Sequence, residues 1–379
     1  MIFTVMPMFV CLFWTTLLAL DLLTGKRSRN RLLLTIFMLT ATVLYFGHCA
    51  FFNHNTPIIP LTDTLYSIAN LAVYPLYYLY ICALTLRRGH LSGEWGILVP
   101  AIFAGITVGS LYAMMSDEET RLFIHQYLYE GERSGLIGLA AWQAYVHDIC
   151  KALFAILIIP VFFLGSKHIK RYDTLVRNAY ADTENKTLTK MQQMMVAFII
   201  TSILSFVANI IGRDRFADSL WLLAIPSTLF SLMLFTIGYI GYHQQFSIED
   251  IENDEQRADA QLTSQTGASE LRARIERLME EEQLYRQPNF KIVDLVNRLN
   301  TNRNYIYQAL NIEMGLSFSE YINRMRIEYA AMLIAQQPNK SLSEIAEIAG
   351  FTSNTSFYRN FKLYKGIAPK EYQNTQRKE

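Results

Sequence analysis

Hydrophobic and polar positions divide the chain into two parts. Up to residue 242, apolar blocks of about 20 residues alternate with short polar segments, and a block of that length crosses the hydrocarbon of a bilayer as one helix. The pattern therefore predicts seven transmembrane helices. The seven blocks are Ile2–Leu23, Leu32–Phe52, Thr64–Leu86, Trp95–Met115, Leu136–Leu164, Met191–Gly212 and Ser219–Tyr242. The fifth block is longer than a bilayer requires, so its start stays open.

Beyond residue 242 the pattern is that of a soluble protein. The stretch 243–268 is acidic at first and then contains Ser, Thr and Gly, which predicts a linker of mixed helix and coil. From Ser269 onward, apolar residues recur at helical spacing instead of in continuous blocks. The predicted organisation is a seven-helix transmembrane domain over 1–242, the linker, and a soluble all-helical domain over 269–379.

Two similar helical pairs follow one another within the soluble part. Each has an amphipathic helix, a turn and a second amphipathic helix, over about 287–315 and about 341–366. A long helix from about Ser317 to Gln336 separates them. Small residues at a helix crossing, a turn and a second amphipathic helix are the features of a helix-turn-helix.

The second pair has clear helix-end signals. Ser341 or Ser343 can cap a helix, and Glu344 follows Ser341 by three residues, as in a capping box. Gly350 is placed to end that helix at the turn. Phe357 and Phe361 recur at helical spacing and predict the inner face of the next helix.

Three stretches carry a resemblance to a known family. They are "GLSFSEYINRMR" at Gly315–Arg326, "EIAEIAGF" at Glu344–Phe351 and "SFYRNFKLYKGIAPKEY" at Ser356–Tyr372. With them, the region from about Ser269 to Gln376 resembles the DNA-binding domain of AraC/XylS-type transcriptional regulators. The apolar region before it is unlike the cupin-like sugar-binding domain of many members and looks like the less common membrane-anchored arrangement.

The resemblance implies that the second helix of each pair enters a major groove, with successive grooves on one face of the DNA. Side chains off the apolar stripe then face bases, where Arg bonds guanine and Asn or Gln bonds adenine; the alternative for each is a solvated helix face. The residues implied to face bases are Asn304, Tyr307 and Gln308 in the first pair and Asn354, Thr355 and Arg359 in the second. Those implied to hold phosphates are Arg303, Lys362, Lys365 and Lys370. The first recognition helix departs from the family by having no Lys or Arg at its three base-facing positions.

The charge of the C-terminal region and the motifs in the sequence restrict the classes of function that the chain can have. The whole chain has a formal net charge of +1, but residues 286–379 contain 13 Lys and Arg against 8 Asp and Glu, a basic excess suited to DNA. The sequence contains no H-E-x-x-H, G-x-S-x-G or phosphate-binding-loop motif. Its four cysteines lack metal-ligand spacing. The chain is therefore predicted to be no enzyme and to use no cofactor or metal.

Basic residues between the blocks predict the orientation in a membrane. The loops after the first, third and fifth blocks hold 12 Lys and Arg, against 4 in the other loops, and basic loops stay on the cytoplasmic side. The predicted location is the bacterial cytoplasmic membrane, crossed several times, with the N-terminus outside and the DNA-binding domain in the cytoplasm.

The stretch "YVHDICK" places ionisable residues inside the fifth block. Asp148 and Lys151 share a helical face and can pair, and His147 adjoins them. Ionisable groups within membrane segments mark functional sites by default, so the three form a candidate ligand site. The alternative is a structural ion pair near the outer headgroups.

Together these features predict a membrane-bound, one-component sensor that regulates transcription. A signal received by the membrane helices would shift the seventh helix and, through the junction after it, change the orientation or pairing of the DNA-binding modules. The alternative function is a transporter or membrane enzyme with an appended autoregulatory DNA-binding domain. The candidate partners are double-stranded DNA, the lipid bilayer, an unidentified signal ligand, RNA polymerase and a second copy of the chain.

Overall fold

A computed structural model shows that the protein is built from helices. It describes residues 2–25, 28–54, 56–211, 220–244, 246–259 and 268–377. Among these residues there is no β-strand beyond one isolated antiparallel bridge between Tyr180 and Lys291. The predicted all-α fold class is therefore confirmed.

The chain divides into two compact units. The apolar unit comprises Met1–Lys170 and Leu188–Gln245, and the C-terminal unit comprises Arg171–Thr187 and Phe246–Glu379. The C-terminal unit thus contains a short segment that lies far upstream in sequence, between two helices, in addition to the soluble C-terminal sequence.

The helices of the apolar unit follow the predicted blocks. They are α1 (Ile2–Thr24), α2 (Arg29–Phe52), α3 (Ile59–Thr85), α4 (Val99–Met114), α5 (Asp117–Leu122), α6 (Gly138–Ala179), α7 (Thr189–Ile211) and α8 (Leu220–His243). Helix α6 continues beyond this unit into the first segment of the C-terminal unit. Short 3₁₀ turns at Thr56–Ile58 and Arg88–Leu98 precede α3 and α4, and a π-helical stretch, Phe123–Tyr129, continues α5.

Six helical stretches in the described part of the chain are long and apolar enough to cross a membrane. They are Ile2–Thr24, Arg29–Phe52, Thr56–Thr85, Leu91–Met114, Gly138–Ala179 and Ala224–Asp254. The last begins in α8 and extends past the end of that helix at His243. The remaining predicted block, Met191–Gly212, coincides with α7, whose side chains from residue 204 onward lie outside the described residues.

Helix α3 forms the core of the apolar unit. Every residue from Leu71 to Thr85 is buried, and Tyr74 stacks on Phe198 of α7 with ring centroids 4.2 Å apart. The other five candidate spans bury a smaller share of their residues and expose large apolar side chains, such as Phe103 of α4 and Phe163 of α6. Extensive outward-facing apolar surface of this kind is typical of a membrane interaction.

Helix α6 is longer than the predicted fifth span. The apolar block ends near Leu164, and the six basic residues after it were expected in a loop. Lys186 lies in the segment between α6 and α7, and Lys190 lies on α7. The other four lie instead on the continuous 42-residue helix that ends at Ala179: Lys167, Lys170, Arg171 and Arg177. The physical reason is that apolar residues continue at helical spacing after Leu164, although they no longer form a continuous apolar block. Beyond the block, Ile169, Tyr172 and Val176 recur at helical spacing and are buried, so an amphipathic helix continues the apolar one.

The C-terminal unit contains eight described helices. They are α9 (Ile248–Asp259), α10 (Ala268–Glu282), α11 (Ile292–Leu299), α12 (Arg303–Tyr307), α13 (Phe318–Gln336), α14 (Leu342–Ile348), α15 (Asn354–Lys365) and α16 (Pro369–Gln376). A π-helical stretch, Gln308–Glu313, continues α12, and a 3₁₀ turn, Leu284–Arg286, precedes α11. Helix α9 falls within the predicted linker 243–268.

Candidate nucleic-acid interface

Helix α13 forms the centre of the C-terminal unit. Its first turn is closed by a capping box: the Glu320 N–H donates to Ser317 Oγ at 3.3 Å, and the Ser317 N–H donates to the Glu320 carboxylate at 2.8 Å. Ile327, Ala330 and Ile334 on its inner face are fully buried in one cluster with the second helical pair. The cap fixes where the helix starts, and the buried stripe fixes which face the second pair covers.

Arg326 of α13 is a buried structural cation. It is 1% exposed, and its guanidinium donates to the Tyr285 carbonyl at 2.5 Å and to the Gln287 carbonyl at 2.8 Å. The same guanidinium lies 5.6 Å from the ring centroid of Phe351. Burial lowers the pKa of Arg326 to about 10, yet these acceptors hold the charge in place. Arg326 therefore joins the chain before α11 to the turn of the second pair.

Gly350 makes the turn between α14 and α15. Its φ is +91°, and a Cβ there would lie 2.5 Å from the Arg286 carbonyl oxygen. Only glycine has both the left-handed freedom and the absence of a side chain that this approach needs. Ser341 caps α14 by accepting from the Glu344 N–H at 3.2 Å. The end signals that the sequence predicted for α14 are thus present.

Helix α15 is defined at both ends. Ser353 Oγ accepts from the Ser356 N–H at 3.1 Å, and Gly366 ends the helix with φ +78°. Phe357 and Phe361 are fully buried with ring centroids 5.5 Å apart, as the sequence predicted. These two rings fix the rotation of α15 and turn its other face toward solvent.

The predicted base-reading residues of the second pair lie on that solvent face. Asn354, Thr355 and Arg359 are all exposed. Asn354 is also engaged locally, because its side-chain amide donates to Ser343 Oγ of α14 at 2.8 Å. The arrangement leaves Arg359 in the second turn of the helix, where a guanidinium has the reach for a base edge. Base contact itself stays a prediction.

The first pair is less regular. Asn302 Oδ1 caps α12 by accepting from the Tyr305 N–H at 3.0 Å, and the helix then widens into a π-helical stretch. Asn304, Tyr307 and Gln308 are exposed, so the three predicted readers share an accessible face. Their role on DNA stays a prediction as well.

The predicted phosphate contacts divide by environment. Lys362 and Lys370 are exposed, whereas Arg303 is half-buried. Lys365 is already engaged, because its Nζ lies 2.6 Å from the carboxylate of Glu328 on α13. A lysine that pairs within the protein is less available to a phosphate, so Lys362 is the better-placed cation on α15.

Sequence reasoning missed one element next to α15. The segment 180–187, here called the acidic loop, belongs to the C-terminal unit. Its Asp182 carboxylate accepts from the hydroxyl of Thr352, and its Glu184 carboxylate accepts from the hydroxyl of Ser353. Thr352 lies 170 residues after Asp182, and Ser353 lies 169 residues after Glu184. No local sequence pattern signals a contact over such a separation.

The polar residues of the fifth predicted span belong to two adjoining clusters in the apolar unit. Asp148 and Lys151 approach to 3.5 Å, as predicted, and Tyr127 lies between them: its hydroxyl donates to Asp148 at 2.7 Å and accepts from Lys151 at 3.0 Å. Arg133 also pairs with Asp148. The structure thus supplies two partners, Tyr127 and Arg133, that the sequence pattern did not identify.

His147 was grouped with Asp148 and Lys151 but faces elsewhere. Its Nε2 lies 2.8 Å from the carboxylate of Asp63 on α3, and its Nδ1 lies 2.8 Å from the Gln143 carbonyl oxygen. The Tyr112 hydroxyl also donates to Asp63 at 2.8 Å. The reason is geometric: neighbouring residues on a helix point about 100° apart, so His147 turns to α3 while Asp148 turns to the stretch that follows α5.

Comparison with known proteins agrees with the C-terminal geometry. Residues 295–375 match a family profile described as "Helix-turn-helix domain". The Msm operon regulatory protein of Streptococcus mutans is 30% identical over 84 residues, which cover 22% of this chain and 30% of that protein. The melibiose operon regulatory protein of Escherichia coli K12 is 35% identical over 81 residues, which cover 21% of this chain and 26% of that protein.

A third relative is the raffinose operon transcriptional regulatory protein RafR of Pediococcus pentosaceus, 29% identical over 92 residues, which cover 23% of this chain and 33% of that protein. The chain thus spans about a third or less of each of these three relatives. No solved structure matches it. The C-terminal unit contains an AraC-type helix-turn-helix domain, and the likeness to these relatives lies in that part of the chain.

Proposed function

We propose that the chain is a membrane-bound transcriptional regulator that binds a DNA operator through both helical pairs and responds to a signal received by its apolar unit. One observation carries the proposal. The exposed faces of α12 and α15 each present hydrogen-bonding side chains within an AraC-type helix-turn-helix domain. The part of the chain that the structure describes also has six helices apolar enough to cross a membrane.

The DNA-binding part is tested with the full chain in detergent micelles. Duplexes are selected from a random library, and the preferred duplex is mapped by footprinting. Two recognition helices in successive grooves predict two protected patches on one face of the DNA, about 34 Å apart. A single patch would mean that only one pair enters a groove, and an absence of selection would contradict sequence-specific binding.

The membrane orientation is tested with fusions to the C-terminus. The 12-to-4 distribution of basic residues supports a cytoplasmic C-terminal unit. An alkaline phosphatase fusion at the C-terminus should be inactive and a fluorescent protein fusion should be bright. The reverse pattern would place the helix-turn-helix domain away from DNA and overturn the proposal.

The signal site is proposed at the two polar clusters of the apolar unit. Paired and bridged ionisable groups on apolar helices support a ligand site there, because such groups are costly in a bilayer. The exchange Asp148→Lys with Lys151→Asp separates a ligand site from a structural pair. If the residues contact a signal, the exchanged chain should accumulate normally in the membrane and lose the response of its target gene. Retention of the response would assign the pair a structural role.

A further inference from the structure

The acidic loop is anchored in the C-terminal unit through its backbone. The Ala181 N–H donates to the Phe290 carbonyl at 3.1 Å. The Ala181 carbonyl accepts from Ser319 Oγ at 3.1 Å and from Asn323 Nδ2 at 3.0 Å, both on α13. Ala181 is 1% exposed. A backbone whose donor and acceptor are both satisfied inside the unit has a defined place there.

Side chains on both sides of Ala181 add to this anchoring. The Tyr180 hydroxyl donates to the Asp254 carboxylate at 2.6 Å, and Lys291 Nζ lies 2.9 Å from the same carboxylate. Lys186 Nζ donates to the Asp182 carbonyl at 2.9 Å and lies 5.5 Å from the ring centroid of Tyr180. Burial lowers the pKa of Lys186. The loop is therefore folded against the unit along its length.

This anchoring presents two carboxylates to the amino end of α15. Ser353 caps that helix and also donates its hydroxyl to Glu184, while the preceding residue, Thr352, donates to Asp182. The amino end of a helix carries partial positive charge and unpaired N–H groups, and it favours anions. In protein–DNA complexes, Ser and Thr hydroxyls together with helix amino ends hold phosphates.

We propose that the acidic loop is an autoinhibitory ligand of the second helical pair. Asp182 and Glu184 occupy the place of a DNA phosphate beside Thr352 and Ser353, so full DNA binding requires the loop to leave. This inference rests on the proposed DNA-binding function. The loop joins α6 to α7, so a rearrangement of those two helices pulls on it directly. The loop therefore offers the signal a route into the C-terminal unit beside the predicted one through the junction after α8.

The first test neutralises the two carboxylates in the full chain. Binding of fluorescent 30-base-pair duplexes, one of random sequence and one selected by the chain, is measured by anisotropy in detergent micelles. Asp182→Asn with Glu184→Gln should bind both duplexes about tenfold more tightly than the unaltered chain, since two charge-assisted hydrogen bonds weaken. The matched control, Glu347→Gln with Glu371→Gln, removes two exposed carboxylates elsewhere in the unit and should change binding by about twofold or less.

The second test locks the loop in place. Asp182 and Thr352 touch through their side chains, so Asp182→Cys with Thr352→Cys places two thiols at this contact. A disulfide formed between them on oxidation, verified by the mass of the linked peptides, locks the loop. The oxidised chain should bind the random duplex at least about tenfold more weakly than the same sample after reduction. The unaltered chain, treated with the same oxidant and reductant, controls for the four native cysteines, which lie in the apolar unit.

The outcomes separate the two proposals. If no chain binds either duplex in any state, the DNA-binding function itself fails. If the unaltered chain binds, but neutralisation changes nothing and the oxidised and reduced forms bind equally, DNA binding stands and the acidic loop is only a structural support. If the neutralised chain does not fold, the disulfide comparison decides, because its two samples are one protein in two redox states.

Discussion

The two helical pairs of the C-terminal unit differ in the regularity, the charge and the contacts of their second helices. The second helix of the first pair is short and widens into a π-helical stretch, and its predicted readers carry no formal charge. The second helix of the second pair is a regular helix of 12 residues, capped at both ends, with Arg359 on its exposed face. The acidic loop contacts the amino end of this second helix. If both pairs bind DNA as proposed, we expect the second pair to supply most of the affinity and the first pair mainly to set the register on the DNA.

Removing Arg326 should lower the free energy of unfolding more than any other change considered, because this residue contacts both helical pairs. Arg326→Met leaves the carbonyls of Tyr285 and Gln287 without their donor, and each buried acceptor left unsatisfied costs about 1–3 kcal/mol of unfolding free energy. Hydrogen exchange of peptides from α11 and α15 in the full chain measures the loss, which should appear in both. Arg324→Met, on the exposed side of the same helix, is the matched control and should leave exchange nearly unchanged. Loss confined to one pair would contradict the joining role.

Gly350→Ala should damage the second pair alone. The added Cβ meets the Arg286 carbonyl oxygen at 2.5 Å in a left-handed conformation, so we expect a cost of about 3 kcal/mol. Gly366→Ala is the matched change: that glycine is also left-handed, but a Cβ there meets nothing within 4 Å, so the cost should be about 1 kcal/mol. Equal hydrogen-exchange rates in the two variants would show that the close approach of residue 350 to the Arg286 carbonyl contributes nothing to the cost of unfolding.

Arg359→Ala and Gln308→Ala compare the two reading helices directly. The arginine change should cost about 1–3 kcal/mol of binding free energy on the selected duplex and relax preference at one base pair. The glutamine change should cost about 1 kcal/mol or less, since a neutral hydrogen bond is weaker than a charge-assisted one. If Arg359→Ala weakens the random duplex as much as the selected one, Arg359 holds phosphate and α15 is not the reader.

Lys362→Ala and Lys365→Ala should show the smallest effect, a difference in how much each lysine contributes to holding a DNA phosphate. Lys362 is exposed, whereas Lys365 pairs with Glu328 at 2.6 Å. Binding measured from low to high salt should show that Lys362→Ala reduces the salt dependence by about one phosphate contact. Lys365→Ala should change it less. The opposite order would mean that the pair with Glu328 opens when DNA binds.

Local signals in the sequence predicted much of the C-terminal unit. The Ser341 cap, the turn at Gly350 and the buried face of α15 all depend on residues within a few positions of one another, which is the range over which capping and periodicity act. The residues implied to read bases are exposed for the same reason, since the apolar stripe fixes the opposite face.

The contacts that the sequence did not predict join distant residues. His147 pairs with Asp63, 84 residues away, and the acidic loop meets α13 and α15 across 138 to 170 residues. Periodicity carries no information about such pairs, because it describes one element at a time. Arg326 is a further case: its charge is typical of a DNA contact, and only packing shows that the side chain is buried.

The position of the acidic loop in the chain also bears on how the protein is made. Synthesis runs at about 5–20 residues per second. The partners on α13 and α15 lie 138 to 170 residues after the loop, so the loop precedes them by about 7 to 34 seconds. The loop cannot take its place when it emerges, because the residues that hold it, Phe290, Ser319 and Asn323, are made later. Because the loop is present before α15 is made, the amino end of α15 would be covered as soon as that helix folds. A chain in which α6 and α7 were inserted incorrectly would hold the loop out of reach and leave that end open.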